Sequence, residues 1–404
     1  MINTRIHDNC CGCQTCKLSC PTKAISMQYD DKGFLYPNID EKKCINCNIC
    51  ENVCDFIKHD KNNNTIINSY AFQIEDKDKL YQSTSGGAFT LLSDYILKSS
   101  GYIVGTILTE NFETKYIFGN KEEMRDSMRG SKYVQSFTDN IFCDVYSLLK
   151  NNKKVLFIGT PCHVAALNSY LNFKKANIAN LYTIDFICHG VASEKIFKEH
   201  LHYLEQKYKS SIVNYLFRDK KYGWCHTETA IFSDGKCKSN KSVYQLKELF
   251  QNNINLRESC YHCAYANKNR VSDITIGDFW GADEILHKYD FKGVSLILTN
   301  TSKGEFLLRK STVDYSKSYL FENFYHPLHQ GGLNHPVEKP KDSDLFWELY
   351  FENGYEKAID EYAPISNTYM LYIYLKRIIH FFKLDSFFIK MKVLMRGKTN
   401  GTLK

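Results

Sequence analysis

Proline and glycine are scarce in this chain, with 7 and 21 in 404 residues. Chains that stay disordered or form low-complexity repeats carry far more of both, so disorder throughout is excluded. No run of 18 uncharged apolar residues occurs, which leaves no bilayer-spanning helix to expect. The opening stretch MINTRIHDNC lacks the apolar core of a secretory signal, and a reducing, cytoplasmic setting is the expectation. Long basic blocks are missing too. The formal charge of +7 arises from 52 basic and 45 acidic residues scattered along the sequence, so no nucleic-acid partner is expected. Nor is there a GxGxxG fingerprint, and a nicotinamide-binding Rossmann domain has no support.

What is present is the composition of a packed globular protein, 43% apolar, 14% aromatic and 24% charged. Its length suits two or three domains of about 150 residues each. Sixteen residues are cysteine, nine of them within the first 54 positions. Their spacing is Cys10-x2-Cys13-x2-Cys16-x3-Cys20-Pro21, repeated as Cys44-x2-Cys47-x2-Cys50-x3-Cys54. A tight loop turns three thiolates toward one cubane, while the fourth cysteine, a helical turn later, reaches the other cluster. Cys10, Cys13, Cys16 and Cys54 are therefore expected on one 4Fe-4S cluster, and Cys20, Cys44, Cys47 and Cys50 on a second. Zinc sites need pairs separated by longer loops, and disulfides do not suit a reducing compartment. The pattern has no need of Cys11.

Between the repeats, Ala24–Met27 and Phe34–Tyr36 flank the turn Asp30-Asp31-Lys32-Gly33 and predict a hairpin over the clusters. Residues 1 to about 58 resemble bacterial two-cluster ferredoxins. Polar residues 58–69 then read as a linker. If three clusters bind, each adds a charge of roughly −2 with its thiolates, and the basic excess becomes internal compensation.

Further on, Ser83-Thr84-Ser85-Gly86-Gly87-Ala88 runs into the helical pattern Phe89, Leu91, Leu92, Tyr95 and Ile96. Such a helix start suits a phosphate; a serine cap with a packing glycine is the plainer reading. Tyr102–Leu108 and Lys115–Phe118 read as strands. The following segment Met128-Arg129-Gly130-Ser131-Lys132-Tyr133-Val134-Gln135-Ser136 suits either a pyrophosphate or a surface turn. Lys154–Leu167 and Thr183–Gly190 are strand-loop units with Cys162 and Cys188 at strand ends, where open α/β sheets place ligands. Cys260-x2-Cys263 precedes the strand Asp273–Gly281. Alone, a CxxC reads as zinc or redox; with Cys162 and Cys188 it completes the four ligands of a third cluster.

The motifs STSGGAF, RGSKYVQS, GTPCHVAAL, DFICHGVAS, FRDKKYGW, the CxxC, RVSDITIGDFWG and GVSLILTNTSKGE follow in that order. They make residues from about 70 to about 310 resemble the beta subunit of coenzyme F420-reducing hydrogenase and related dehydrogenases, a group that includes 7-hydroxymethyl chlorophyll a reductase. The resemblance implies a mixed α/β protein: a small ferredoxin-like α+β module at 1–58, flavin-binding core regions at 70–150 and 151–320, and a helical extension at 321–404. It implies FAD beside the third cluster. Carried over by motif, Ser85, Gly86 and Gly87 would line the flavin pyrophosphate. Arg129, Ser131, Lys132 and Tyr133 would surround the cofactor, with Thr160 beneath it. Cys162, Cys188, Cys260 and Cys263 would hold the cluster. His163 stands where relatives often carry glutamine and is expected to be packed and hydrogen-bonded. His189 is the catalytic candidate, with a structural role as the alternative reading. Arg218, Lys220 and Trp224 either shape a substrate pocket or serve as a salt bridge and a core aromatic.

The implied function is an oxidoreductase relaying electrons between ferredoxin-type clusters and FAD, to or from a two-electron carrier such as coenzyme F420 or a small organic substrate, a polysaccharide-related intermediate being one option. The alternative is a non-catalytic subunit docking on a larger redox complex. Ferredoxin or another redox protein is the expected partner. At the carboxyl end, residues 343–362 predict one helix, with Phe346, Trp347, Leu349, Tyr350 and Phe351 apolar. Residues 366–396 mix apolar side chains with Lys376, Arg377, Lys383, Lys390, Lys392 and Arg396. Such a basic amphipathic face suits peripheral contact with an anionic membrane or docking on protein.

Overall fold

The computed structural model describes residues 2, 7–58, 64–224, 227–282, 292–315, 319–322, 330–382 and 384. Strands β1 (Ile25–Tyr29) and β2 (Leu35–Ile39) form the hairpin expected between the cysteine repeats, with Ile25 opposite Ile39 and Tyr29 opposite Leu35. Ile25 and Ile39 turn inward onto Cys10 and Cys16, so the hairpin supplies an apolar wall for the thiols. Asn64, at the end of the polar stretch, exchanges two backbone hydrogen bonds with Arg270; residues 59–63 lie outside the described residues.

The core is an eight-stranded mixed sheet. It contains β3 (Asn68–Gln73), β4 (Tyr102–Leu108), β5 (Thr114–Gly119), β6 (Val155–Gly159) and β7 (Leu181–Phe186). After β8 (Ile212–Leu216), β9 (Thr229–Phe232) and β10 (Cys237–Lys238), which form a small antiparallel sheet, come its remaining members β11 (Ile274–Asp278), β12 (Ser295–Thr299) and β13 (Tyr319–Glu322). The order is β13-β3-β12-β11-β7-β6-β4-β5, and the central β11, β7, β6 and β4 run parallel. Every residue of β6 is buried, as expected of a parallel strand covered on both faces. Strands from residues 70–150 and 151–320 pair directly, through β4 and β6. The carboxyl ends of β6, β7 and β11 open on one edge, where an α/β sheet holds ligands.

Expectation and structure part at residues 343–362. Gly354 adopts φ +84° and splits the segment into the helices Asp342–Asn353 and Tyr355–Tyr362, a left-handed conformation that glycine adopts without strain. Both halves bury apolar residues (Phe346, Trp347, Ala358, Ile359) against Phe197, Leu201, Val243 and Leu249. The tail is helical over Asn367–Phe381 and holds to the body through Ile373, packed near Tyr244. Lys383, Lys390, Lys392 and Arg396 lie outside the described residues.

That region contains a pH-sensitive contact. Glu228 is buried, accepting from the Tyr215 hydroxyl at 2.9 Å and the Lys247 backbone N–H at 3.2 Å. Burial pushes its carboxyl up to about 8. The folded state therefore binds a proton that the unfolded chain releases near its ordinary carboxyl value. The contribution is complete below about pH 4.5 and is lost as pH rises to about 8, at about 1.4 kcal/mol per unit within that window. Glu228→Gln should flatten the decline in thermal midpoint between pH 5 and 8; equal slopes in variant and wild type would refute this.

Candidate functional site

In the amino-terminal module the thiols gather as the spacing requires. Burial, and then the neighbouring Cys13, Cys10 and Cys54, push the Cys16 thiol well up, which places the fourth cysteine of the second repeat among the first three of the first. Cys20, Cys44, Cys47 and Cys50 surround a second hollow of about 30 Å³, walled by Ile25 and Ile39.

A third group forms at the sheet edge. β6 ends at Gly159, and Thr160 caps the start of the helix Pro161–Phe173, with proline in its first turn. Proline is favoured there because that N–H has no helical acceptor. The Thr160 hydroxyl lies 3.1 Å from Cys162 Sγ. Cys188 follows β7, and Cys260 and Cys263 come from the short helix Glu258–Tyr261 and the loop after it. All four line a cavity of about 380 Å³. Burial, and then Cys260, Cys162 and Cys263, push the Cys188 thiol well up. Crowded, desolvated thiols resist ionising together, and a cationic iron–sulfur core relieves that repulsion, so the donor set fits a 4Fe-4S cluster. Among the described residues, no three His, Cys, Asp or Glu side chains converge as on a single metal ion.

Three residues to which the sequence reading gave no role hold these groups in place. Arg257, fully buried, donates Nε to the Cys10 carbonyl, Nη1 to Gln135 Oε1 at 2.7 Å and Nη2 to the Leu35 carbonyl at 2.8 Å. Its own carbonyl accepts from the Cys260 N–H at 2.9 Å. One residue thus ties the amino-terminal module to the Cys260 loop. Arg270, also buried, pairs with Asp185 at 2.8 Å and caps the carbonyls of Tyr265 and Asn267 at 3.0 and 3.1 Å, bracing the chain after Cys263. Cys11 lies within hydrogen-bonding reach of both Cys13 and Cys162, between the first and third thiol groups.

Beside this cavity lies a larger one of about 600 Å³. Ser85, Gly87, Arg129, Ser131, Lys132, Tyr133 and Thr160 all line it. Gly86 instead faces the sheet: a Cβ there would meet the Phe72 carbonyl oxygen at 2.1 Å. The Gly86 and Ala88 N–H groups donate to Ser295 Oγ at 2.9 and 3.4 Å, so a serine does cap this helix start, but from β12. Lys132 directs its ammonium to the carbonyls of Thr106, Met128 and Arg129 at 2.8–3.0 Å. His163, Nδ1 3.0 Å from the Tyr116 hydroxyl, is pushed down to about 4 by burial and then by the Arg257 cation, the packed histidine the sequence predicts. His189 stacks on Phe250 at 4.9 Å and borders both cavities. Lys220 donates to the carbonyls of Leu80 and Ser85, Trp224 stacks on Trp280 at 4.9 Å, and Arg218 pairs with Asp278.

Residues 152–316 match the family described as the carboxyl-terminal part of the coenzyme F420 hydrogenase/dehydrogenase beta subunit, and residues 9–56 match the 4Fe-4S dicluster domain. A 79-residue stretch is 34% identical to tRNA-specific 2-thiouridylase MnmA 1 of Clostridium tetani, covering 20% of this chain and 22% of that protein. A 70-residue stretch is 39% identical to trichloroethene reductive dehalogenase of Dehalococcoides mccartyi, covering 15% and 13%. The chain thus spans less than a quarter of the length of either curated relative. Among solved structures, a chain of the F420-reducing [NiFe] hydrogenase complex from Methanosarcina barkeri superposes with a TM-score of 0.45 at 16% identity, over 74% of this chain and 91% of that one. Residues 152–316 thus belong to the carboxyl-terminal part of the coenzyme F420 hydrogenase/dehydrogenase beta subunit family, and a 4Fe-4S dicluster domain at residues 9–56 is fused ahead of them.

Proposed function

We propose that the chain is an iron–sulfur flavoprotein oxidoreductase, with two 4Fe-4S clusters in the amino-terminal module, a third on Cys162, Cys188, Cys260 and Cys263, and FAD in the larger cavity. The observation that carries this reading is the shared wall: Thr160, His163, Cys188, His189 and Trp280 border both cavities, while Cys11 reaches the smaller one from the module. Bound FAD would exchange single electrons with clusters and pairs with a hydride carrier or organic substrate. The chain's own part is to hold the groups in series, keep water out and shape the substrate end. His189 is our candidate for the residue that meets substrate, because it stands where the cavities join. Whether the acceptor is coenzyme F420 or a biosynthetic intermediate is for turnover assays with candidate acceptors to decide; turnover only with a partner protein would favour a docking role.

The first test is iron, acid-labile sulfide and flavin per chain on anaerobically purified protein. About twelve iron atoms and about one FAD are expected; about eight iron atoms and no flavin after reconstitution would overturn the reading.

The tail supports a second, peripheral role. Leu371, Tyr374, Phe381 and Phe382 are at least 60% exposed beside the exposed Lys376, a face suited to an anionic membrane, while Arg377 turns to the body and donates to Ser239 and Tyr244. No described helix is long and apolar enough to cross a membrane. Deleting residues 366–404 should abolish co-sedimentation with anionic liposomes; unchanged binding would refute the contact.

A further inference from the structure

Arg218 is the least expected group in the larger cavity. It follows β8, its side chain is 3% exposed, and it lines the cavity wall. Its Nη1 donates to Asp278 Oδ2, and the other oxygen of Asp278 takes the Trp224 indole N–H at 3.2 Å. The guanidinium carbon lies 5.7 Å from the Trp280 ring centre, and the Tyr133 hydroxyl is within hydrogen-bonding reach of the group. Position and orientation are therefore fixed. Yet Nε and Nη2 are buried with no hydrogen-bond partner at bonding geometry among the described residues.

Those two nitrogens form one edge of the guanidinium, with parallel N–H bonds spaced for the two oxygens of a carboxylate or phosphate. Leaving buried donors unmade is costly, and a site held open in this way awaits an acceptor. The neighbouring cations are committed elsewhere. Lys132 spends its ammonium on three carbonyls, and Arg129 donates to Gln82 and Thr90 and pairs with Asp126. Apolar and aromatic walls from Phe250, Ile276 and Trp280 complete this end of the cavity.

We propose that the Nε/Nη2 edge of Arg218 is the anchor for the substrate, which therefore carries an oxyanion, a carboxylate or a phosphate, on an organic body lodged in the cavity. This inference rests on the reading of the cavity as the flavin and substrate chamber. Asp278 and Trp280 act as positioning residues that aim the fork. A neutral analogue of the same shape leaves the fork unpaired and is rejected, because a site built to hydrogen-bond discriminates strongly against a ligand that cannot.

The test uses FAD-reconstituted full-length protein, assayed first for flavin content. Benzoate, benzamide, phenyl phosphate and inorganic phosphate are then titrated by calorimetry and by perturbation of the flavin spectrum. Variants are Arg218→Gln and Arg218→Lys, the lysine keeping a cation for Asp278 while removing the fork. Wild type is expected to bind benzoate or phenyl phosphate and not benzamide, the tighter of the two identifying carboxylate or phosphate as the group. Arg218→Lys should weaken that binding by roughly tenfold or more with flavin content unchanged. Equal affinity in Arg218→Lys, or benzamide binding as well as benzoate, would overturn the inference. So would loss of FAD from Arg218→Lys with anion affinity intact, because the fork would then serve the cofactor. Protein that takes up no FAD would sink the chamber reading separately, while calorimetry on it still scores the fork. Should Arg218→Gln fail to fold, the lysine variant decides.

Discussion

Arg257→Ala is expected to release the amino-terminal module from the core while leaving each capable of binding its own clusters. The substitution strands the Cys10 carbonyl, the Leu35 carbonyl and Gln135 Oε1. At about 1–3 kcal/mol per buried unpaired group, and allowing for water that enters the hole, the docked arrangement should weaken by about 3–6 kcal/mol. The remaining attachments do not replace it. Gln135 Nε2 to the Cys11 carbonyl at 3.0 Å, Ser193 Oγ to the Lys32 carbonyl, Lys195 to the Asp31 carbonyl at 2.9 Å, Thr138 Oγ1 to the Cys13 carbonyl at 2.9 Å, Ser169 Oγ to the Val53 carbonyl at 2.8 Å and Tyr265 to Asp55 also join module and core, but none of them reaches the Cys10 or Leu35 carbonyl. Arg257 also stacks over Tyr36 at 4.3 Å, so the hairpin should loosen with it. Protease cleavage within residues 58–69 should quicken, and the thermal transition should split or fall. Conservative Arg257→Lys restores charge but only one direction of donation, and should recover part of the loss. Unchanged protease resistance and an unchanged midpoint in Arg257→Ala would show that the other contacts suffice.

That prediction rests on a residue that sequence reasoning passed over, and the reason is physical. An isolated arginine in Asn-Leu-Arg-Glu-Ser reads as a solvated side chain, because its burial is decided by Cys10, Leu35 and Gln135, up to 247 residues away in sequence. Arg270 and Ser295 are alike in this. Each lies inside a motif, RVSDITIGDFWG or GVSLILTNTSKGE, but its partner, Asp185 or the Gly86 N–H, is remote in sequence and the motif does not point to it. Glycine at 354 gave no warning either, since a lone glycine in an apolar helical pattern is compatible with continuation.

Elements with a strong local pattern were legible. β6 and β7 declare themselves because buried parallel strands are continuous apolar runs, and the cysteine repeats fix their own partners through cluster geometry. The flanking strands β3, β12 and β13 form antiparallel pairings across long loops, and sequence alone offers them no partner. For the chamber, motif resemblance brought Ser85, Gly87, Ser131, Tyr133 and Thr160 to one cavity. It said nothing of how Lys132 and Arg129 spend their charges, and that is what leaves Arg218 distinctive.

Cys188→Ala is expected to lower the iron content by about four atoms per chain, the complement of one cubane, and to interrupt electron flow without emptying the larger cavity. Cys188 borders both cavities, so on the proposed reading it is both a ligand and the point where the cluster comes nearest to flavin. Alanine keeps the backbone turn after β7, removes the sulfur, and leaves Cys162, Cys260 and Cys263 one ligand short. Flavin reduction by electrons supplied through the amino-terminal clusters should collapse, while direct reduction of flavin by dithionite should persist. Cys237→Ala serves as the control, because that thiol is exposed on β10, in the small separate sheet, and lines neither thiol hollow; its iron content and electron flow should match wild type. If Cys188→Ala keeps a full complement of iron with an unaltered electron paramagnetic resonance signal, the third cluster is held by another set, and Cys11, the fifth thiol on the cavity wall, becomes the residue to substitute next.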